Sequence, residues 1–302
     1  MAEPIPLTRS GPGDADNFEF HWSGNGLEIH LLSDVGRKRT HNEDSCVLCV
    51  PDDRNLLLER GTLVVVADGM GGVSGGRFAS KLAVQTLVET YYIEREPGVP
   101  VRLRQGVLQA NRSIYEEAES RPEYHGMGTT VSAVVVIGDR AYIAHVGDSR
   151  VYLYRNGAAI MQITEDHSLV AEQVREGVLT EEQARSHSLR NLITRAVGTK
   201  ESVKVDLFSV RVREGDRLMI CSDGLTGPVD PEGIAECMQG PKLQGVARSL
   251  VGRALEGGGP DNITVALVGI TEPPVKTEPD AGAVEVNVDK PGIISRLRGM
   301  FS

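Results

Sequence analysis

One stretch of the chain carries apolar runs of strand length that follow one another too closely for helices to lie between them. Residues 129–164 read, in order, TTVSAVVVI, GDR, AYIAHV, GDS, RVYLYR, NG and AAIMQIT. A parallel βαβ unit needs a crossover of about a dozen residues or more, so this stretch cannot be a βαβ repeat. Short Gly-Asp and Asn-Gly connections instead favour antiparallel neighbours. The sequence therefore predicts a block of antiparallel strands.

Helical periodicity and further strands surround this block. Apolar residues recur at helical spacing over 75–94 and 101–119, and a later helix is predicted over 242–256, where three glycines end the run. Other strand-like segments are LEIHLLSDVG, SCVLCV, LLLERGTLVVVADG, VKVDLFSVRV, DRLMICSD and ITVALVGI. Two helices, many antiparallel strands and a late helix indicate an α+β sandwich.

Charge and composition narrow the class of protein. The 302 residues carry a formal net charge of -10, which argues against nucleic acid as a partner. No apolar run approaches the roughly 18 residues that span a bilayer, and MAEPIPLTRSGPGD lacks the apolar centre of a signal peptide. Cys46-x-x-Cys49 has no second Cys or His pair to complete a zinc site, so buried free thiols are expected there. We therefore expect a cytoplasmic protein.

The chain is predicted to have three parts. Residues 1–26 are rich in Gly, Pro, Ser and Asp and are expected to be a flexible leader, whereas residues 27–270 form the folded domain. Residues 271–302 begin as an acidic, Pro-containing linker. At residues 293–301 a short apolar stripe predicts either a weak amphipathic anchor for a membrane or partner, or a disordered tail.

Acidic residues stand where several apolar runs begin or end. Asp68, Asp148 and Asp223 are each followed at once by Gly or Ser, Asp261 directly precedes a strand, and Glu43-Asp44 forms a further acidic pair. Carboxylates at strand ends can converge, and converging carboxylates repel one another unless a cation lies between them. Mg²⁺ and Mn²⁺ prefer such oxygen ligands. The pattern predicts a metal-dependent hydrolase.

Two further residues suit phosphate chemistry at such a site. Gly69 follows Asp68, and the missing side chain lets its backbone carbonyl approach an ion. Arg39 lies four residues before Glu43 and offers the fork of N–H donors that phosphate binds well. Hard cations and phosphate oxygens match, so phosphate is the expected substrate group.

Eight segments in register resemble the metal-dependent Ser/Thr protein phosphatases, the PPM or type 2C family, in its bacterial branch. They are DVGRKRTHNED at 34–44, ADGMGGVSGG at 67–76, GMGTTVSAVVV at 126–136, HVGDSRVYLYR at 145–155, EDHSLV at 165–170, RNLITRAVG at 190–198, ICSDGLTG at 220–227 and DNIT at 261–264. Together they extend over about 240 residues. The resemblance implies two packed antiparallel sheets flanked by helix pairs, an αββα sandwich.

The same resemblance implies roles for the acidic residues. Asp68 would bridge two Mn or Mg ions, Asp223 and Asp261 would complete the first site, and the Gly69 carbonyl would bind the second ion. Asp148 with Asp223 would form the third ion site of bacterial members. A metal-bridged water would then attack phosphoserine or phosphothreonine directly.

The remaining implied roles concern substrate and water. Arg39 would hold the substrate phosphate, and Glu43 and Asp44 would orient metal-bound waters. Residues 165–190, which we call the flap, would affect substrate choice. The protein would act as a monomer that opposes a Ser/Thr protein kinase.

The resemblance is incomplete at three positions, and it leaves rival functions open. Met70 stands where some relatives have a His proposed as general acid, and Val73 and Arg77 stand where many bacterial relatives have His and Glu. The change at those two positions is expected to alter local charge rather than metal binding. A catalytically silent phosphoprotein-binding relative is one alternative. A stress-response phosphatase acting on an anti-sigma antagonist is another.

Overall fold

The fold is built on two β-sheets that pack face to face. The computed structural model describes residues 7–13, 15–95, 98–155 and 160–288. The first sheet contains β1 (Leu7–Gly11), β4 (Asp44–Val50), β5 (Thr62–Met70), β7 (Val131–Ile137), β8 (Arg140–Val146), β11 (Asp206–Arg211) and β14 (Val284–Glu285), in that spatial order, with β6 (Gly128–Thr129) paired to β5. The second sheet has the order β10 (Met161–Gln162), β9 (Arg150–Tyr154), β12 (Arg217–Cys221), β13 (Ile263–Ile270), β3 (Leu27–Asp34) and β2 (Phe18–Gly24).

The α-helices of the described residues are α1 (Arg54–Arg60), α2 (Gly72–Ile93), α3 (Val99–Ser120), α4 (Leu169–Arg175), α5 (Glu181–Ser186), α6 (Asp223–Thr226), α7 (Pro231–Met238) and α8 (Leu243–Glu256). Two pairs of them cover the outer faces of the sheets. α2 and α3 bury apolar residues such as Leu87 and Leu103 against the first sheet. α7 and α8 do the same on the second sheet with Ile234 and Leu250. This confirms the predicted αββα sandwich.

The centre of the sandwich is a third apolar layer between the two sheets. It is formed by alternate side chains of strands from both sheets, for example Leu48 and Val64 from the first and Ile220 and Val268 from the second. Because β4, β5, β12 and β13 are buried on both faces, their sequences are nearly continuous apolar runs rather than alternating ones. These rigid central strands fix the positions of the residues at their ends.

The chain leaves one sheet for the other at Gly147-Asp148-Ser149. β8 pairs with β7 and β11 in the first sheet, whereas β9 pairs with β10 and β12 in the second. The expectation that this turn joins antiparallel neighbours was therefore wrong. Gly147 has a φ of 113°, and a Cβ there would lie 2.6 Å from Thr130 side-chain atoms, so the crossover requires glycine.

Residues 1–26 were expected to form a flexible leader, and for β1 and β2 within that range this expectation was wrong. β1 pairs with β4 over five residues, and β2 pairs with β3 over seven. Composition alone was misleading, because the Gly- and Pro-rich part lies between the strands whereas FEFHWSG alternates inward and outward side chains. The two sheets therefore each gain an edge strand from this segment.

The segment after β13 also packs on the domain, so its description as a linker needs correction. Thr277 donates its backbone N–H to Asp139 at 2.9 Å, and Asp280 accepts the N–H of Val99 at the start of α3 at 2.6 Å. β14 then adds a parallel strand to β11. The predicted amphipathic stretch 293–301 lies outside the described residues. Among the residues that are described, no helix has the length and apolarity to cross a membrane.

Candidate active site

Two central strands of the first sheet place Asp44 and Asp68 opposite each other. Asp44 is the first residue of β4 and pairs in register with Asp68 of β5. Asp68 is held through its backbone, because its N–H donates to Thr130 Oγ1 at 2.9 Å and its carbonyl accepts the Thr130 N–H at 2.9 Å. Like charges directly opposite on neighbouring strands are unfavourable. This pair therefore indicates a place that positive charge would stabilise.

The second sheet brings Asp223 and Asp261 to the same end of the sandwich. Asp223 begins α6 two residues after the end of β12, and Asp261 lies two residues before β13. Ser222 links the two sheets, since its hydroxyl donates to Asp44 Oδ2 at 2.8 Å and accepts the Thr264 N–H at 2.9 Å. The acidic ends of strands from both sheets thus face one another across the sandwich edge.

Asp148 lies in the crossover between the sheets and is only 7% exposed. Its neighbour Ser149 hydrogen-bonds Thr130 between the two hydroxyl oxygens at 2.6 Å, which joins the crossover to the residues that hold Asp68. On the other side, the Gly147 N–H donates to His167 Nδ1 at 3.0 Å. Because His167 belongs to the flap, the flap and the Asp148 crossover are in direct contact.

The carboxyl groups strongly affect one another's ionisation. We call Asp44, Asp68, Asp148, Asp223 and Asp261 the carboxylate cluster. Burial raises the pKa of Asp44 to about 7, with the charges of Asp223 and Asp261 adding to the effect. Burial first, and neighbouring carboxylates second, also raise the pKa of Asp68, Asp148 and Asp223 above the ordinary value. The cluster is a partly buried region of excess negative potential, in which Asp44 and Asp148 are the most buried members.

Two glycines let backbone segments approach the cluster closely. A Cβ on Gly69 would lie 2.1 Å from the Gly76 carbonyl oxygen and 2.6 Å from that of Glu43. A Cβ on Gly224 would lie 1.9 Å from the carbonyl oxygen of Asn262. Only glycine fits at either position, so both glycines are required for packing. At Gly69 the missing side chain also leaves room for an ion to approach the backbone carbonyl.

Arg39 and Glu43 lie at the exposed side of the cluster. The Arg39 Nη2 group donates to Asp261 Oδ2 at 2.8 Å, and its Nη1 atom lies 3.9 Å from Glu43 Oε2. Burial raises the pKa of Glu43, and the nearby Arg39 charge opposes that shift. The Arg39 side chain is 47% exposed, so its guanidinium can reach an incoming anion as well as Asp261.

The donor set fits a hard divalent cation. Asp44 Oδ1 and Asp148 Oδ1 are buried and have no hydrogen-bond partner, and unpaired buried oxygens of this kind call for a cation or a water. Within residues 7–13, 15–95, 98–155 and 160–288, however, no three His, Cys, Asp or Glu side chains already form a metal-binding group. Asp261 is engaged by Arg39, and Asp44 by Ser222. The individual ligand roles therefore stay predictions.

Sequence reasoning missed the residues that hold the site together. Asn262 accepts the Glu43 N–H at 2.8 Å and donates to the Val35 and His41 carbonyls at 2.9 and 3.0 Å, so it fixes the segment that carries Arg39. A signal was present, because Asn262 directly follows Asp261 in a segment already singled out. Val73 and Arg77 are two positions where the sequence differs from many bacterial relatives. Arg77 donates to the Gly13 carbonyl, whereas the Val73 side chain lies outside those described.

Comparison with known proteins gives consistent matches. A family model described as Protein phosphatase 2C matches residues 36–245. Serine/threonine phosphatase stp of Listeria monocytogenes is 39% identical over 247 residues, which make up 80% of this chain and 95% of that protein. Serine/threonine protein phosphatase PstP of Mycobacterium tuberculosis is 39% identical over 248 residues, 82% of this chain but only 45% of PstP, so the chain spans about half the length of that relative.

A solved structure agrees with the sequence matches. The catalytic domain of PstP in complex with two manganese ions aligns with a TM-score of 0.70 at 37% identity, covering 82% of this chain and 99% of that one.

Proposed function

This chain belongs to the protein phosphatase 2C family, and from that premise we propose that it is a metal-dependent phosphatase of phosphoserine and phosphothreonine proteins. The observation that supports the activity most directly is the carboxylate cluster, in which four aspartates from both sheets have pKa values raised by burial and by one another. Such a site is costly for folding unless bound cations offset its charge.

Manganese or magnesium is the proposed cofactor, since the PstP catalytic domain is solved with two manganese ions. Asp68, Asp223, Asp261 and the Gly69 carbonyl would hold two ions, and Asp148 would help to hold a third. When bound, the ions supply positive charge that lowers the pKa of water and offsets the charge of the phosphate.

The chain's own residues account for binding and orientation. Arg39 would bind the substrate phosphate, because its half-exposed guanidinium stands at the edge of the cluster with donors left after its bond to Asp261. Glu43 and Asp44 would accept hydrogen bonds from waters in the site, and Asp44 Oδ1 is an unpaired acceptor. Met70 offers no proton to the leaving alkoxide, so a water would have to supply it.

The biological setting follows from the proposed chemistry. The natural substrates would be phosphoproteins made by a Ser/Thr protein kinase, which this enzyme would oppose in a signalling pathway. A cytoplasmic location and a monomeric state are proposed with it, and so is weak docking through residues 293–301.

The activity can be tested with a phosphothreonine peptide and manganese. Asp68→Asn and Asp223→Asn should each lower the rate of phosphate release by about a thousandfold, because each removes a charge that the ions need. Asp52→Asn is the matched control, since Asp52 is exposed and lies beyond the opposite end of β4 from Asp44. Circular dichroism would verify that all three variants are folded.

Three outcomes are informative. Phosphate release that stops with a chelator, returns with manganese and is lost only in the two site variants supports the proposal. Full activity in Asp68→Asn contradicts it. Tight binding of the phosphopeptide by the wild-type chain without any release of phosphate would instead favour the silent, phosphoprotein-binding alternative.

A further inference from the structure

The connection between β1 and β2 lies beside the candidate active site. β1 ends with Gly11 opposite Cys46, and β2 begins with Phe18 opposite Ser33. Residues 12–13 and 15–17, which we call the N-terminal connector, therefore lie between the first sheet and the second at the end of the sandwich that carries the carboxylate cluster. The match to the family model begins only at residue 36, so the connector precedes the family region.

The connector contacts both ends of the segment 35–44, which carries Arg39. At one end, Asn17 Oδ1 accepts the Val35 N–H at 3.0 Å. At the other end, the buried Asn42 donates through Nδ2 to the Asp16 carbonyl at 2.9 Å, while its Oδ1 accepts the Asp44 N–H at 3.0 Å. Asn42 therefore links the connector to Asp44 through hydrogen bonds to both.

The side chain of Arg77 in α2 also holds the connector. Arg77 Nε donates to the Gly13 carbonyl at 3.0 Å, and Arg77 Nη2 donates to the same oxygen. Arg77 follows Gly76, whose carbonyl packs against Gly69, and three residues later Ser80 donates to the Glu43 carbonyl at 2.6 Å. One turn of α2 therefore contacts the connector, the Gly69 backbone and the segment 35–44.

We propose that the N-terminal connector is a brace for the phosphate-binding segment, and that Arg77 and Asn17 are positioning residues that keep Arg39 in place. The inference rests on the proposed function, because it concerns the same site. Arg77 acts on the substrate only through the connector: its guanidinium is engaged with the Gly13 carbonyl, and among the described residues no hydrogen bond or ion pair links it to the cluster. The brace fixes the backbone on both sides of Arg39 and so reduces the freedom that phosphate binding must otherwise remove.

The test compares Arg77→Ala and Asn17→Ala with wild type by two independent measurements. Hydrogen exchange should become at least about threefold faster in residues 35–44, because local opening there loses an anchor. The KM for a phosphothreonine peptide should rise about three- to tenfold with kcat within about twofold, the range expected for one lost hydrogen bond. Arg77→Lys keeps the charge and one donor, so its values should lie between those of wild type and Arg77→Ala.

Arg104→Ala is the matched control, because Arg104 is an exposed arginine on α3, the helix that packs beside α2. It should leave both measurements unchanged. Trp22 in β2 is the sole tryptophan of the chain, so its emission reports whether β2 stays docked in each variant. Unchanged emission with faster exchange over 35–44 and a higher KM supports the brace.

Other results overturn the proposal. Unchanged exchange over 35–44 in both Arg77→Ala and Asn17→Ala would show that the connector does not hold that segment. A higher KM without faster exchange would mean that Arg77 contacts the substrate directly. A red-shifted Trp22 emission with a general loss of stability in both variants would make these residues merely structural. The exchange result stands even if wild-type protein releases no phosphate, so failure of the brace and failure of the proposed function are distinguishable.

Discussion

The carboxylate cluster and the flap are neighbours, because His167 in the flap bonds Gly147 next to Asp148, yet they are held in different ways. Apart from Asp148, the cluster lies near the ends of β4, β5, β12 and β13, whose side chains are almost all buried. The flap lies outside both sheets, and its two short helices bury only Val170 and Ala184. Val178 and Leu189 in the flap are 64% and 47% exposed.

The fold holds the cluster rigidly and leaves the flap free to adapt. Chemistry that depends on converging charges needs side chains that are held in place by packing. The central strands supply this packing, because they are buried on both faces. A segment held by polar contacts and few buried apolar groups opens locally at low free-energy cost. Damage at the cluster should therefore spread through the whole fold, whereas damage in the flap should stay local.

The largest effect is expected for Gly224→Ala. The added Cβ would lie 1.9 Å from the Asn262 carbonyl oxygen, so α6 or the start of β13 must move. We expect a loss of about 5 kcal/mol in the free energy of unfolding, which is comparable to the total stability of many domains. Urea denaturation followed by circular dichroism would measure it.

Gly252→Ala is the matched control for that substitution. Gly252 lies inside α8, and a Cβ there would meet nothing within 4 Å. Since glycine inside a helix is less favourable than alanine, this variant should be about 0.5 to 1 kcal/mol more stable than wild type. Equal stability of the two variants would contradict the idea that the cluster edge is rigid.

An intermediate effect is expected from pH in metal-free protein. Burial raises the pKa of Asp44 to about 7, whereas an unfolded aspartate ionises near pH 4. The contribution of Asp44 to the stability of the folded protein is therefore fully present below about pH 4 and is lost as the pH rises towards 7. Asp44→Asn lacks this titration and also removes a charge that raises the pKa of Asp68, so relative to wild type the variant should gain unfolding free energy, on the order of 2 to 3 kcal/mol, between pH 5 and pH 8.

The measured quantity is the difference in unfolding free energy between wild type and Asp44→Asn, because another buried group, His145, changes stability with pH in the opposite direction. Burial lowers the pKa of His145 to about 3, so its contribution to stability is lost as the pH falls below about 6.5. His145 is present in both proteins, and its effect cancels. A pH-independent difference between wild type and Asp44→Asn, measured with a chelator present, would show that burial and the neighbouring charges do not raise the pKa of Asp44.

The central part of the fold could be predicted from sequence because its signals are local. Continuous apolar runs such as TLVVVA and ITVALVGI identify strands buried on both faces, and the carboxylates at their ends are visible in the same segments. The crossover at Asp148 could not be predicted, since GDS suits a hairpin equally well. Which sheet a strand joins depends on packing between distant segments.

The segments that carry β1 and β14 were misjudged for a related reason. β1 and β14 are five and two residues long, and each gains its stability from an existing strand, β4 or β11, rather than from its own sequence. A composition rich in Gly, Pro and acidic residues therefore predicted a leader and a linker. The supporting contacts of Asn262 and Asn42 were likewise not predictable, because their partners are known only once the strands are placed.

The smallest effect should come from the flap, and it would sharpen the contrast with the cluster. Thr180 begins α5 with a capping box, in which its side chain accepts the Gln183 N–H and the Gln183 side chain accepts the Thr180 N–H. Thr180→Ala should cost about 1 kcal/mol of helix stability, seen as faster hydrogen exchange over residues 181–186. The midpoint of global unfolding should stay the same, because α5 opens without the sheets.

Asp230→Ala removes an equivalent cap in a different setting. Asp230 accepts the Gly233 N–H at 2.8 Å at the start of α7, and that helix buries Ile234 and Met238 against the second sheet. Since α7 cannot open without exposing this apolar layer, the same loss of about 1 kcal/mol should appear in global unfolding. If Thr180→Ala lowered global stability as much as Asp230→Ala, the flap would belong to the same cooperative unit as the carboxylate cluster.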